Sequence, residues 1–254
     1  MLSVVEYFNE AELSCDAITA DFRIWQRKGG HRYSLDDVAT AWEAAELDLR
    51  PQRCIDIGCG IGSVLLMVAW AYPEARLTGI EAQEQSHALA LRNLRHNHLQ
   101  ERVELCLGDL REEAARWSGP RAQLVTGTPP YLPLGTAIAS PDPQRAAARI
   151  ELRGGVEDYL MAAARLVDDA GRVVVCADGR RPERVLQGAE MSGLFPWRRR
   201  DVFARSGAKH PLFAVWTLGT SAAKLEHLTL TIRDSSGRKT KDAGCLRERF
   251  GLPG

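Results

Sequence analysis

The sequence predicts an α/β protein built on a doubly wound, mostly parallel sheet. Runs of strand length alternate with segments of helix length along most of the 254 residues. Connections of that size imply right-handed crossovers, with helices covering both faces of the sheet. Near the end the alternation breaks: WRRRDVFAR and PLFAVWTLG are two strand-like runs with only a short loop between them, which predicts an antiparallel pair at the sheet's edge.

Each element has a local reason. Ser34 is placed to cap a helix over SLDDVATAWEAAELDL. RCIDI then reads as a strand, and IGSVLLMVAWAY has the apolar spacing of a helix packed on a sheet. RLTGIE, VELCL, AQLVTG and RVVVCA read as further strands, and QEQSHALALRNLRHN, VEDYLMAAARLV and RPERVLQGAEMSG as helices between them. The first twenty residues predict either a short helix covering the sheet or a mobile segment.

A chain of this length with 45% hydrophobic residues can bury one large core, so a single domain spanning 1–254 is expected, with a core at 51–220 between an N-terminal extension (1–50) and a C-terminal one (221–254). No run of eighteen or more apolar residues occurs, and the start, MLSVVEYFNEAELSCD, is acidic where a secretory signal is basic and apolar. A cytoplasmic protein with no membrane partner is expected. The six cysteines, Cys15, Cys54, Cys59, Cys106, Cys176 and Cys245, form no C-x-x-C pair and read as reduced and mostly buried, and no metal site is expected. Thirty-three basic against thirty-three acidic residues leave no net field, yet WQRKGGHRY, FPWRRRDVFAR and GRKTK mix cations with aromatics or glycines. They read either as an RNA-contacting rim or as solvated faces.

Ligands of open α/β sheets bind beyond the carboxyl ends of the strands, and three such ends carry a signal. In IDIGCGIGS, Gly58 and Gly60 let the backbone turn sharply and approach a ligand, with Asp56 at the strand end. Glu81 closes RLTGIE, where a carboxylate can accept hydrogen bonds from both hydroxyls of a ribose. Asp109, in LGDL, can reach the adenine end of the same ligand directly or by orienting the neighbouring backbone amide. The glycines run Gly58, Gly60, Gly62, with Ser63 where the dinucleotide fingerprint wants its third glycine. GTPPYLPLG, after AQLV, forces the chain out of the sheet in one stiff course, because each proline fixes φ and lacks an N–H.

With these motifs the chain resembles the class I S-adenosylmethionine-dependent methyltransferases, whose Rossmann-like sheet has seven strands with the last one antiparallel. The resemblance implies S-adenosyl-L-methionine as cofactor, held by Asp56, Gly58, Gly60, Glu81, Ala82, Asp109 and Leu110, with Thr128 adjoining. It also implies that residues 1–50 cover the cofactor side. Thr128, Pro129, Pro130 and Tyr131 resemble the [Asn/Asp/Ser]-Pro-Pro-[Tyr/Phe] motif of amino-methyltransferases, which act on exocyclic amines of nucleobases or on glutamine amides. There a side-chain oxygen at the first position and the first proline's carbonyl accept the amine's two N–H groups, which aims the lone pair at the methyl group, and the aromatic stacks on the base. Thr128 departs from the pattern: its one hydroxyl accepts, but it is shorter than asparagine and branched, so the amine sits closer or is bridged by water. Three readings stay open: the activity persists, the nucleophile has changed, or the site has decayed.

A second resemblance runs from about Ile24 to Phe250, to the bacterial methyltransferases that modify an adenine amine in the anticodon loop of valine tRNA. Their Q-x-x-x-G-[Tyr/His]-R-[Phe/Tyr]-S segment, which lies over the cofactor, matches Gln26, Gly30, Arg32, Tyr33 and Ser34. It implies cofactor contacts from Gln26 and Arg32 and an RNA, a tRNA, as substrate. Trp25 and Tyr33 read either as covers of the adenosine site or as packing residues. Lys209 and His210 read as loop cations that either meet RNA or are merely solvated; His87, His96 and His98 read as surface residues. Methylation of a small molecule or protein side chain, and a silent cofactor-holding RNA-binding module, remain alternatives. Monomer and weak dimer are both open.

Overall fold

Where the sequence suggested a helix or a mobile segment, the computed structural model, which describes residues 8–136 and 140–253, has an antiparallel hairpin. Its strands are β1 (Leu13–Ala17) and β2 (Arg23–Arg27). Residues 1–7 of that expectation lie outside the described residues. The chain continues through α1 (Leu35–Ala45), β3 (Arg53–Ile57), α2 (Ser63–Ala71), β4 (Arg76–Glu81), α3 (Glu84–His96), β5 (Val103–Leu107), α4 (Leu110–Arg116) and β6 (Ala122–Gly127). After the proline loop come α5 (Pro143–Arg149), α6 (Val156–Leu166), β7 (Val167–Ala177), α7 (Pro182–Ser192), β8 (Phe195–Phe203), β9 (Phe213–Gly219), β10 (Glu226–Thr231) and α8 (Lys241–Glu248).

The main sheet has the order β10-β8-β9-β7-β6-β3-β4-β5. Strands β7, β6, β3, β4 and β5 are parallel, and β9 alone runs against its neighbours β7 and β8. The doubly wound α/β class and its reversed strand are as expected, with two differences. The sheet has eight strands rather than seven, because β10 adds in parallel to β8. The antiparallel pair is also not the edge: β9 lies inside the sheet, where all seven of its residues are buried. Strand alternation divides the core between the two faces. Cys54, Val174 and Cys176 pack with α1, α2, α3 and α8, and Ile55, Ile57, Val173 and Val175 pack with α4, α6 and α7. Among the described residues no helix is long and apolar enough to cross a membrane.

The hairpin is fastened to α3 by two asparagines. The Trp25 N–H donates to Asn93 Oδ1 at 2.7 Å, and Asn93 Nδ2 donates to the carbonyls of Trp25 at 3.1 Å and Ile61 at 2.9 Å. Asn97 exchanges the same pair of bonds with the backbone of Arg23, both at 2.8 Å. Trp25 is therefore a packing residue, its ring under the Arg92 guanidinium at 4.0 Å and edge-on to His96.

The arginines of FPWRRRDVFAR are also structural. Glu43 of α1, fully buried, accepts from Arg198 at 3.0 Å and Arg200 at 2.7 Å, while Arg199 pairs with Asp201. Arg198 and Arg200 thus form a neutralised seam between α1 and the sheet, and Arg199 is paired within its own strand. Removing one member of a buried charge cluster strands the others, so Glu43→Ala is expected to lower unfolding free energy by about 3 kcal/mol or more, read from urea denaturation midpoints.

Candidate functional site: a cavity at the strand ends

The parallel strands β3, β4, β5 and β6 end side by side, and a cavity opens beyond them. Its floor is the turn after β3, where Gly58 and Gly60 have φ of 63° and 57°. A side chain at Gly58 has no room, because its Cβ would lie 2.1 Å from the Tyr159 hydroxyl. Space over Gly60 is open, with nothing within 4 Å of where a Cβ would stand. The Glu81 carboxylate clamps this turn: Oε2 accepts from the Gly60 N–H at 2.8 Å and Oε1 from the Gln83 N–H at 2.7 Å. On the far wall, Asp109 caps α4, accepting from the Arg111 N–H at 3.0 Å and from its guanidinium at 2.9 and 2.6 Å. Those bonds, the guanidinium's first, hold its pKa down.

Of the residues singled out in the sequence, Gly58, Gly60, Glu81, Ala82, Asp109, Leu110, Thr128 and Pro130 line this cavity together. Asp56 stands behind it. That carboxylate is buried, its Oδ1 accepts from the Thr126 hydroxyl at 2.8 Å, and among the described residues Oδ2 has no partner. Gln26 and Arg32 do not reach the cavity. The buried Gln26 amide donates to Asp16 and accepts from the Tyr33 N–H, and Arg32 pairs with Asp16 and Ser14, so both brace the hairpin instead. Tyr33 does line the cavity.

A second cavity lies beyond the proline loop, lined by Thr128, Pro129, Pro130 and Tyr131 with Asp36, Asp178 and Arg149. The two cavities share His31, Asp37, Thr128, Pro130 and Ala148. The Tyr131 hydroxyl lies 2.9 Å from Cys176 Sγ and donates to Asp36 at 3.1 Å, so the ring is pinned by its tip.

His31, Asp37 and Tyr159 are site residues not singled out in the sequence. His31 stands at the Tyr-or-His position of the quoted N-terminal motif. Asp37 looks like a helix cap, and it is one, accepting from the Ser34 N–H at 2.9 Å. Tyr159 sits among the apolar residues of VEDYLMAAARLV and was indistinguishable from core. Burial pushes Asp37 up to about 8 and Asp56 to about 7, raises Glu81, and lowers His31.

Residues 22–131 match the family model described as the methyltransferase small domain. The fold is that of the class I S-adenosylmethionine-dependent methyltransferases, and the matched segment is less than half of the chain. A more particular likeness comes from curated relatives. The chain is 30% identical over 127 residues to the tRNA1(Val) (adenine(37)-N6)-methyltransferase of Porphyromonas gingivalis, covering 49% of each chain. It is 29% identical over 140 residues to a ribosomal protein uL3 glutamine methyltransferase of Bradyrhizobium diazoefficiens, covering 53% of this chain and 43% of that one. The chain spans about half the length of the first curated relatives it matches. Among solved structures, an Agrobacterium tumefaciens protein described as a predicted O-methyltransferase superposes with a TM-score of 0.65 at 17% identity, covering 86% of this chain and 98% of that one; this is a likeness of fold.

The residues present fit S-adenosylmethionine. The glycine turn leaves room for a close approach, Glu81 stands where a ribose needs an acceptor, and Tyr159 lines the cavity with its hydroxyl against Gly58. Bound, this cofactor supplies an electrophilic methyl group on a positively charged sulfur. Two consequences are measurable by calorimetry. Glu81→Ala loses both the turn clamp and the acceptor, so affinity is expected to fall about tenfold to a hundredfold. The raised carboxyls hold protons at low pH and ionise as pH rises, and burial makes His31 give up its proton earlier than a free histidine; a cationic ligand favours the ionised carboxyls. Affinity for S-adenosylmethionine is therefore expected to rise between about pH 6 and pH 8, and affinity for uncharged adenosine to change little.

Proposed function

We propose that the chain transfers a methyl group from S-adenosylmethionine to an exocyclic amine, adenine N6 of a tRNA being the reading best supported. The observation that carries it is the meeting of the two cavities at the double-proline loop: the cofactor cavity and a separate chamber for the acceptor share Thr128 and Pro130. An amine conjugated to a base is a weak nucleophile, so the protein's contribution is to hold it rather than to activate it with a strong base. The Pro129 carbonyl accepts one N–H, and the rigid prolines keep that carbonyl from yielding. Tyr131, pinned by its hydroxyl, offers a ring face to the base, which is a narrower role than a freely stacking side chain.

The name of the relative from Porphyromonas supports RNA as the acceptor. The name of the Bradyrhizobium relative supports a second reading, a glutamine amide in a protein, which presents the same delocalised N–H₂ group to the same loop. Within either reading, residues 1–50 are a cover, 51–220 the catalytic core and 221–254 an extension. Six free thiols suit a reducing compartment such as the cytoplasm.

Incubation with labelled S-adenosylmethionine and separated cellular RNA, protein and metabolite fractions is expected to label RNA; label confined to protein or metabolites refutes the tRNA reading. Tyr131→Ala is expected to lose most turnover, about tenfold or more, while binding S-adenosylhomocysteine nearly as well as the intact chain, checked by a methylation assay beside calorimetry.

A further inference from the structure

We propose that Asp37 supplies the acceptor that Thr128 cannot extend: its carboxylate takes one N–H of the target amine, opposite the Pro129 carbonyl, and receives the proton that the nitrogen sheds. The inference rests on the amine-methyltransferase reading above. Its basis is position. Asp37 is 5% exposed, and it lines both the cofactor cavity and the acceptor cavity beside Thr128, so what remains open of it faces their junction.

The other carboxyls nearby are committed, Asp178 among them to the Arg180 guanidinium at 2.9 Å. Asp36 is taken by the Ser34 and Tyr131 hydroxyls, and Asp56 lies behind the cavity against Thr126. Asp37 is held in orientation from one side, by the Ser34 N–H on Oδ2 at 2.9 Å, with the Ser63 hydroxyl also beside the carboxyl. A threonine hydroxyl sits one bond from a branched Cβ, has little reach, and is itself a donor that must find an acceptor. Burial keeps the Asp37 carboxyl protonated up to about pH 8, and a cationic ligand in the adjoining cavity favours its ionised form; once ionised it only accepts, and its bond to an amine N–H is charge-assisted. It also discriminates: a base presenting a carbonyl oxygen at that place would face a carboxylate with no proton between them.

The step balances without a further reactant. The nitrogen lone pair forms the N–C bond, the electrons of the breaking C–S bond stay on sulfur, and the surplus nitrogen proton passes to Asp37 and then to solvent through the acceptor cavity.

The test compares Asp37→Ala and Asp37→Asn, each alone and with Thr128→Asn, by S-adenosylhomocysteine calorimetry, by single-turnover transfer to the fraction that the intact chain labels, and by thermal melting. Both single variants are expected to slow transfer about a hundredfold while affinity changes less than about threefold. Thr128→Asn, which restores an extended acceptor, is expected to recover at least about tenfold in the Asp37→Ala background. That recovery is a gain no misfolded variant gives. An unchanged rate, an affinity that falls in step with the rate, or no recovery overturns the proposal. Label in protein instead of RNA removes the tRNA reading alone, and the same rate ratios then decide Asp37's role on an amide; label in no fraction overturns both.

Discussion

The bond from the Gly60 N–H to the Glu81 carboxylate ties the two halves of the site together. It joins the turn after β3 to the end of β4, two adjacent parallel strands, at 2.8 Å. Parallel strands bring their carboxyl ends to one edge of the sheet, so the turn, the acid, Asp109 after β5 and the double-proline loop after β6 all open in one direction. A buried carboxylate needs donors, and two backbone amides satisfy Glu81 without a cation. Among the described residues no arginine forms an ion pair with Glu81, although Arg153 lines the same cavity.

Elsewhere the chain neutralises its charges internally. Arg198 and Arg200 converge on Glu43, Arg184 lies between Glu151 and Glu157, and Arg27 meets Asp142. Each pairing joins segments distant in sequence. Arg27 links the hairpin to the start of α5, and Arg184 links α7 to the loop before α6 and to α6 itself. Cations that looked like a nucleic-acid footprint are in good part fasteners of the cover and the acceptor loop. Around the acceptor cavity, Arg149 is exposed and takes part in no ion pair among the described residues.

The strands β3, β4, β5 and β6 were legible residue for residue, since RCIDI, RLTGIE, VELCL and AQLVTG are apolar runs bounded by turns and breakers. The hairpin and β10 were not. LSCDA, RIWQR and EHLTLT mix polar and apolar residues, and their strand character comes from partners: Asn93 and Asn97 for β2, β8 for β10. Similarly, the glycines and Glu81 of the site were legible because backbone conformation and strand-end position are local properties. Gln26 and Arg32 were carried over from a motif, and the structure gives both to Asp16. Asp37 and Tyr159 matter through what lies across from them, which no spacing along one helix reveals.

Strand β10 has a consequence beyond extending the sheet. Without it, β8 would present a row of unmet amides and carbonyls from Arg198 to Phe203, an invitation to pair with a neighbouring molecule. The added strand moves that boundary outward onto a segment rich in exposed side chains and backed by α8. It acts as a selvedge, keeping the woven face from joining to its like, so that solubility at high concentration becomes a property of the chain's last thirty residues as much as of its net charge.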